Sequence, residues 1–291
     1  MQGSILLAAV LGASTIAAAP TWPQVNINSA MTDGIETVSE YFEMLAQKVQ
    51  AGKDMMVAPV CDLSKAVMPQ PDASPLDAVA PGLLLKHVAI GRGTQNYTCD
   101  TTNATAAPVA AGAVATLFNA SCIASAYPDI LNALPKLALH FNLSADEQGL
   151  LSDSGSDDDG ASQRLGPTSL AVSGHHFFTN ATTPFFTLDT PAGALGTAPC
   201  SKTGTTDAPA GAPTGQQGEG AVAWLKLQAR SGATGNLQEV YRVETAGGSA
   251  PKSCAGMPAA FEVQYSAQYV SDTSSFFLLP TVSKSRLTRC K

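Results

Sequence analysis

Two adjacent histidines, His175 and His176, are the side chains in this sequence best suited to acid–base chemistry. An imidazole changes its protonation state near neutral pH and can serve as general acid, general base or metal ligand. Consecutive side chains of a strand point to opposite faces, so the two cannot chelate one metal ion together. Either histidine, with an acid such as Glu239, could support a hydrolase or lyase. The competing interpretation, one packed and one exposed histidine, assigns them no chemistry.

Four further residues are candidates for binding a small ligand. Trp224 and Lys226 lie on one strand-like stretch, and Tyr241 and Arg242 lie on the next. Two cations beside two aromatic rings combine apolar surface with hydrogen-bond donors, as ligand pockets do. The competing interpretation places the tryptophan in the core and the charges at its rim.

The segment 91–96, GRGTQN, approaches the dinucleotide-binding pattern G-x-G-x-x-G. Its third glycine is replaced by Asn96, and residues 97–99 continue as a strand, whereas a dinucleotide loop must open into a helix. The segment fits a tight β-turn that uses the backbone freedom of glycine. The sequence also has no G-x-S-x-G nucleophile elbow and no metal-ligand spacing around its histidines. We therefore predict no cofactor and no metal site.

The composition predicts a folded chain. Of 291 residues, 45% are hydrophobic and 13% are charged, and the formal net charge is −7. This apolar content excludes an intrinsically disordered chain, and the acidic balance argues against a nucleic-acid binder. No run of about 18 apolar residues follows residue 20, so we expect no membrane span.

The N-terminus and the sequons predict export. Residues 1–19 have the apolar centre and the small residues before the cleavage point that are typical of a signal peptide. The chain should therefore be a secreted, extracellular glycoprotein. Five N-x-S/T sequons offer glycosylation sites, at Asn96, Asn103, Asn119, Asn142 and Asn180.

The cysteines fit an oxidising compartment. The chain has six of them, and sequence alone does not decide their pairing. We expect Cys99 to bond Cys122, because both lie at the ends of strand-like stretches and next to sequons. Cys61 with Cys254 is the second expected pair.

Helical and irregular segments alternate with strands along the chain. Residues 33–51 predict an N-terminal helix, whose apolar stripe should pack on its own domain. Residues 128–140 predict a second helix, broken or kinked near Pro135. Residues 152–162 form an acidic low-complexity loop, and residues 189–220, rich in Gly, Pro, Thr and Ala, a long loop.

Short strands dominate the remainder. Residues 83–90 and 94–99 predict two of them, and residues 261–269 alternate apolar and polar side chains over nine positions. We predict a mainly β fold, a single antiparallel barrel or sandwich with an N-terminal helix and long loops. The predicted organisation is a signal peptide (1–19), an N-terminal helical segment (20–57), a β-rich domain (58–269) and an atypical tail (270–291).

Six segments form a specific combination: GLLLKHVAIGRGTQNYTC (82–99), GAVATLFNASC (112–122), GHHFF (174–178), AVAWLKL (221–227), EVYRVETAGGSAPKSC (239–254) and FEVQYSAQY (261–269). Together they resemble the fungal branch of the DUF3455 family. The resemblance implies a secreted β-rich protein of unknown function and brings no catalytic residues. Members are sometimes labelled malate dehydrogenase, an activity we do not expect here.

The tail departs from the family pattern, which continues beyond the Tyr269 position with further aromatic residues. Here Val270-Ser271 begins a stretch without a clear pattern, and Val-Ser can be encoded by a splice-donor hexamer. We hypothesise that residues 270–291 are translated from a retained intron. A spliced message that still encodes these residues would refute it.

The function that these observations favour is a secreted, non-enzymatic module that binds an extracellular polymer or a small ligand. The alternative is the secreted hydrolase or lyase that uses His175 or His176.

Overall fold

The structure is a computed structural model and describes residues 31–53, 61–71, 74–140, 165, 168, 170–191 and 193–274. The predicted signal peptide, the sequon at Asn142, the acidic segment 152–162 and residues 275–291 lie outside the described residues. No helix in the described ranges is both long and apolar enough to cross a membrane.

The described residues form three α-helices and eight β-strands. The helices are α1 (Met31–Lys53), α2 (Ser121–Ala126) and α3 (Pro128–His140), and a 3-10 turn spans Leu63–Lys65. Both predicted helices are confirmed, and α3 continues through Pro135. The strands are β1 (Leu83–Thr98), β2 (Val109–Asn119), β3 (Val172–Asn180), β4 (Thr183–Thr190), β5 (Gly193–Thr206), β6 (Trp224–Ala229), β7 (Leu237–Gly247) and β8 (Ala260–Ser274).

The eight strands form a closed antiparallel barrel. Each strand pairs with its neighbours in the sequence, and β8 returns to pair with β1. The predicted mainly β class is therefore confirmed, and closure selects the barrel over the sandwich. A closed sheet has no unpaired edge, so every strand has hydrogen-bonding partners on both sides.

Alternation of side chains divides each strand between the lumen of the barrel and its outer face. The lumen is filled by a cluster that includes Leu117, Phe186, Val240 and Tyr269. Its other members include five alanines, which leave space for the rings. These small residues are Ala89, Ala113, Ala115, Ala198 and Ala267.

The helices cover part of the outer face. Leu134 and Leu137 of α3 pack with Ile90 and Phe118 of the barrel, and Tyr41 of α1 joins the same cluster. The expected packing of the N-terminal helix on its own domain is thus confirmed. Phe42, which the predicted apolar stripe includes, remains 50% exposed, and the adjacent Tyr41 is the buried ring.

The glycine-rich segment 91–96 lies in the middle of β1, so the prediction of a turn between two strands was wrong. A Cβ atom at Gly91 would overlap the ring of Tyr269, and one at Gly93 would overlap the carbonyl group of Val114. Glycine is needed here because a side chain and a neighbouring strand approach closely, not because the chain turns. The segment runs on as strand to Thr98, and no helix opens from it as a dinucleotide loop requires.

Strand β5 lies inside the stretch 189–220 that was predicted to be a long loop. Its inward side chains, Ala198 and Cys200, are fully buried in the lumen. The strand escaped prediction because small residues, glycine and threonine occupy most of its positions, which hides the alternation that a larger apolar residue would show. The irregular part of the stretch begins after Thr206.

Strand β8 continues to Ser274, past the predicted domain boundary at 269. Val270 packs on the outer face with Trp224 and Tyr241, and Asp272 is also buried. The polar side chains from Ser271 onwards interrupt the apolar alternation, so the sequence pattern does not reveal this end of the strand. The retained-intron hypothesis concerns the transcript and stays a prediction.

The four cysteines expected in bridges do form two disulfides, but with exchanged partners. Cys61 bonds Cys122, and Cys99 bonds Cys254. The predicted Cys99–Cys122 bridge was wrong because β1 and β2 are antiparallel, so the ends of these two strands lie at opposite ends of the barrel. Cys200 is a buried free thiol, and burial raises its pKa to about 12.

Replacing Gly91 with alanine should destabilise the barrel by about 1–3 kcal/mol, because the added methyl group must displace the Tyr269 ring from a packed lumen. The control is Gly193→Ala in β5, where a Cβ would meet nothing within 4 Å; it should change the free energy of unfolding by less than about 0.5 kcal/mol. Denaturant unfolding of the oxidised protein measures both. Equal stability of the two variants would contradict the lumen packing.

Candidate functional site

A buried cluster of charged and phenolic groups lies on the outer face of β6, β7 and β8. We call it the acid–lysine cluster; it consists of Lys226, Glu239, Tyr241 and Asp272. Lys226 Nζ lies 3.1 Å from Glu239 Oε1, and the two side chains are 10% and 3% exposed. Glu239 and Asp272 are register partners on neighbouring strands. One ammonium group therefore faces two carboxyl groups out of contact with water.

The cluster holds the segment before β1 against the barrel. Lys226 Nζ donates to the carbonyl oxygen of Ala78 at 2.7 Å, and the amide of Ala80 donates to Glu239 Oε2 at 3.2 Å. The Tyr241 hydroxyl lies 3.0 Å from Glu239 Oε2 and 3.0 Å from the carbonyl oxygen of Asp77. Burial and the neighbouring carboxylates raise the pKa of Tyr241, so it stays a neutral donor. These contacts make the cluster a clamp for residues 77–80.

Asp272 is the least satisfied member of the cluster. Its Oδ2 atom is buried without a hydrogen-bond partner. Burial and the negative charge of Glu239 raise its pKa to about 6, against the opposing effect of Lys226. A carboxyl group with this pKa gains its proton in mildly acidic surroundings, which an exposed aspartate does not.

A pocket of about 460 Å³ lies beside the clamp. Gln70, Pro71 and Ser74 form one wall, residues 206–210 a second, and Trp224 and Glu244 the floor. The side chains that can bond a ligand are Gln70, Ser74, Thr206, Asp207 and Glu244. Carboxylates, an amide and hydroxyl groups beside prolines suit a polar ligand of small size, in the usual volume range of ligand pockets.

Glu244 reaches this pocket through a distortion of β7. Its φ angle of 47° lies in the left-handed region, which non-glycine residues rarely adopt, and the β7–β8 register shifts beside it. Such a bulge turns a side chain out of the regular alternation. Burial raises the pKa of Glu244. Sequence reasoning missed this residue because nothing in the pattern of β7 signals a bulge.

The four predicted ligand-binding residues do not share one face. Trp224, Lys226 and Tyr241 lie on the outer face, and Trp224 is 1% exposed with its indole N–H buried and unpartnered among the described residues. Arg242 points the other way, into the lumen, where it meets Gln95. Tyr241 and Arg242 are consecutive strand residues, so their opposite directions follow from the alternation itself.

His175 and His176 also point to opposite faces, as the alternation predicted. His176 pairs across the sheet with Ala115 of the lumen, and its ring stacks on Phe186 at 4.3 Å. Its Nδ1 lies 3.0 Å from the carbonyl oxygen of Phe185, and burial lowers its pKa to about 3, so the imidazole is neutral. His175, on the outer face, has a buried Nδ1 without a partner in the described chain.

The structure does not bring a histidine to Glu239. His176 faces the lumen, whereas Glu239 faces outward and is engaged by Lys226 and residues 77–80. His87 lies in neither site; its two ring nitrogens are 3.2 and 3.0 Å from the hydroxyls of Ser121 and Ser173. Burial lowers the pKa of His87 to about 4, so it too is neutral. Within the described residues, no group of three or more potential metal ligands occurs.

The described sequons differ in exposure. Asn103, Asn119 and Asn180 are exposed in loops or at strand ends, where a glycan has room. Asn96 lies within β1 between β2 and β8 and is half-buried. Glycosylation at these positions stays a prediction.

Replacing Asp272 with asparagine should change the pH dependence of stability. A carboxyl group whose folded pKa lies above its unfolded value makes the protein lose stability as pH rises through the interval from about 4 to about 6. Asp272→Asn should remove this loss. Between pH 4 and pH 7, the free energy of unfolding of the variant should therefore fall by roughly 1–3 kcal/mol less than that of the wild type. Urea unfolding across this interval measures it, with the exposed Glu43→Gln as control. Parallel profiles for wild type and Asp272→Asn would contradict the burial argument.

A comparison with known protein families agrees with the motifs of the sequence. The family model DUF3455, described as a protein of unknown function, matches residues 80–271. This range begins just before β1 and ends within β8, so it covers almost the whole barrel. Neither curated proteins nor solved structures gave a match. The chain therefore belongs to the DUF3455 family.

Proposed function

We propose that this protein is a secreted, glycosylated binding module and that the pocket between Trp224 and Glu244 takes a neutral, hydroxyl-rich ligand such as a sugar unit of an extracellular polymer. The observation that carries the proposal is the composition of the pocket. Asp207 and Glu244 accept hydrogen bonds from hydroxyl groups, and Gln70, Ser74 and Thr206 can donate or accept. The prolines beside them give apolar surface for the C–H face of a sugar ring.

The charge of the pocket selects among ligands. The described lining contains two carboxylates and neither lysine nor arginine, so it disfavours anions. A polymer end or a small oligosaccharide fits such a site because its hydroxyl groups donate to carboxylates without bringing charge. An organic cation is the competing occupant, since two carboxylates also attract positive charge.

Support for export comes from the apolar N-terminal segment, the sequons and two disulfides, which persist in oxidising compartments. A binding role is favoured over the hydrolase alternative because His176 and Glu239 lie on opposite faces of the sheet. His175 shares the outer face with Glu239, but no described contact joins them.

Trp224 offers a direct test of binding. The chain has two tryptophans, Trp22 and Trp224, so Trp22→Phe leaves Trp224 as the only indole fluorophore. We expect neutral oligosaccharides, tested as a panel of gluco-, manno- and chito-hexaoses, to change its emission in a saturable manner. Glu244→Gln in the same background should weaken binding roughly tenfold, because one charged acceptor is lost.

The matched control is Glu43→Gln, which removes an equal charge from the exposed face of α1 and should leave the titration unchanged. Spermidine serves as the cationic probe. Saturable binding of spermidine with no response to any hexaose would overturn the assignment of a neutral ligand, and equal titrations for Glu244→Gln and its background would overturn the assignment of the pocket.

A further inference from the structure

The two disulfides differ in their exposure to solvent. Cys61 and Cys122, which bond each other, are both exposed. In the second bridge, Cys254 is 4% exposed and Cys99 is half-buried. A disulfide is reduced by the attack of a thiolate on one of its sulfur atoms, so the rate depends on access to that sulfur. Under mild reducing conditions the Cys61–Cys122 bridge should therefore open first.

The exposed bridge holds one end of the segment that leads into β1. We call the chain from Cys61 to Ala80 the strap, and the structure describes all of it except residues 72 and 73. The bridge ties the first residue of the strap to Cys122 of α2. The acid–lysine cluster holds residues 77–80 at the other end through hydrogen bonds. The strap is thus attached at both ends, and one of the two attachments is a reducible bond.

The first half of the strap has few other attachments. From Cys61 to Gln70 every residue is partly or fully exposed, and Val67 is 81% exposed. The hydrogen bonds described for residues 61–76 stay within the strap, as does the bond from the Leu76 amide to Gln70 Oε1. Partly buried apolar side chains of this half supply its remaining contacts with the barrel and α2; they are Leu63, Ala66 and Met68. The bridge is therefore the strongest attachment of this half.

The strap is also a wall of the pocket. Gln70 and Ser74 line the pocket, and Met68 and Leu76 pack in the cluster that contains Trp224 of its floor. A displacement of the strap would therefore widen the pocket and give solvent access to the Trp224 indole, which is 1% exposed in this structure.

We propose that the Cys61–Cys122 bridge is a redox switch that controls how firmly the strap closes the pocket. The reductant is a dithiol. Its thiolate attacks one sulfur of the bridge, the S–S bond breaks, and the other cysteine leaves as a thiolate. The second thiol of the reductant then displaces the bound cysteine, so two electrons and two protons pass to the protein and the reductant becomes a cyclic disulfide. Only the effect on ligand binding rests on the proposed function, since the release of the strap needs no ligand.

The barrel should survive this reduction. Its eight strands pair in a closed ring, and the Cys99–Cys254 bridge ties the end of β1 to the loop between β7 and β8. Cys200 is buried with its pKa raised to about 12, so it stays a thiol and does not exchange with the opened cysteines. Reduction therefore acts as a local opening of the strap and not as global unfolding.

The first test measures the selectivity of reduction. The full-length protein is treated with dithiothreitol in native buffer, alkylated with iodoacetamide at successive times and mapped by mass spectrometry. The Cys61–Cys122 bridge should open at least about tenfold faster than the Cys99–Cys254 bridge. Equal rates, or faster opening of the second bridge, would overturn the proposal.

The second test measures the release of the strap by acrylamide quenching of Trp224 in the Trp22→Phe background. Reduction should raise the quenching constant roughly twofold or more, because the strap no longer shields the indole. Cys61→Ser combined with Cys122→Ser should show the raised value before dithiothreitol is added and no further rise afterwards. The matched control is Cys99→Ser combined with Cys254→Ser, which keeps the exposed bridge and should keep the rise. Unchanged quenching after the exposed bridge has opened would contradict the switch.

Hydrogen exchange separates release of the strap from unfolding of the barrel. After reduction the amides of Ala66 and Leu76 should exchange faster, whereas those of Val240 and Ala267, in paired strands, should not. An equal rise in the strap and in the barrel would overturn the proposal. Titration with the hexaoses should then show weaker binding by the reduced protein, and equal affinities of the two forms would refute control of the pocket. Absence of binding by both forms would contradict the proposed function and not the switch, which quenching and exchange decide.

Discussion

The pairing of β8 with β1 is the constraint on which the rest of this molecule depends. The two strands pair from Leu83 with Ser274 to Thr98 with Ala260, with one register shift between Leu85 and His87, so the last strand of the sheet closes on the first. Closure removes both edges and divides all the side chains of the barrel between two surfaces. It requires the rings on β8 to pass close to β1, and Gly91 supplies the space that Tyr269 occupies.

On strand β7, this division places charged side chains of opposite sign on the two faces of the sheet. Glu239 and Tyr241 turn outward into the acid–lysine cluster, and Arg242 turns into the lumen. The carboxylate thus meets an ammonium group and backbone donors, whereas the guanidinium meets only neutral groups. Burial makes the difference matter, because in a medium of low polarizability a paired charge is tolerated and an unpaired one is costly. The outer cluster therefore has the character of a structural clamp, whereas the inner arginine is held by the carbonyl oxygen of Ala223 and by neutral side chains.

The sequence predicted those parts of the fold whose alternation is carried by large side chains. Residues 261–269 place tyrosine and valine against glutamine and glutamate, and the strand was found there. The sequence did not predict strand β5 or the end of β8 around Asp272, because small or polar residues carry the alternation there. The break predicted within β1 arose because glycine signals both a turn and a close approach, and only the neighbouring strand decides between them.

The site could be predicted only in part for a similar reason. The rule that separates His175 from His176 also separates Tyr241 from Arg242, so the alternation alone divides the predicted ligand-binding residues between two faces. Contacts between distant segments could not be predicted, because the residue pattern of a strand does not show which other segment packs on it. The packing of residues 77–80 on Lys226 and the disulfide partners both depend on how the strands close.

The lumen of the barrel and the outer pocket share one short piece of backbone and differ in the charge of their side chains. Ala223 gives its carbonyl oxygen to Arg242 in the lumen, and the next residue, Trp224, forms the floor of the outer pocket. The carboxylates of the outer pocket repel anions, whereas the guanidinium of Arg242 lies on the other face of the sheet. One sheet can in this way carry opposite charges a strand's thickness apart, because alternation places consecutive side chains on its two faces.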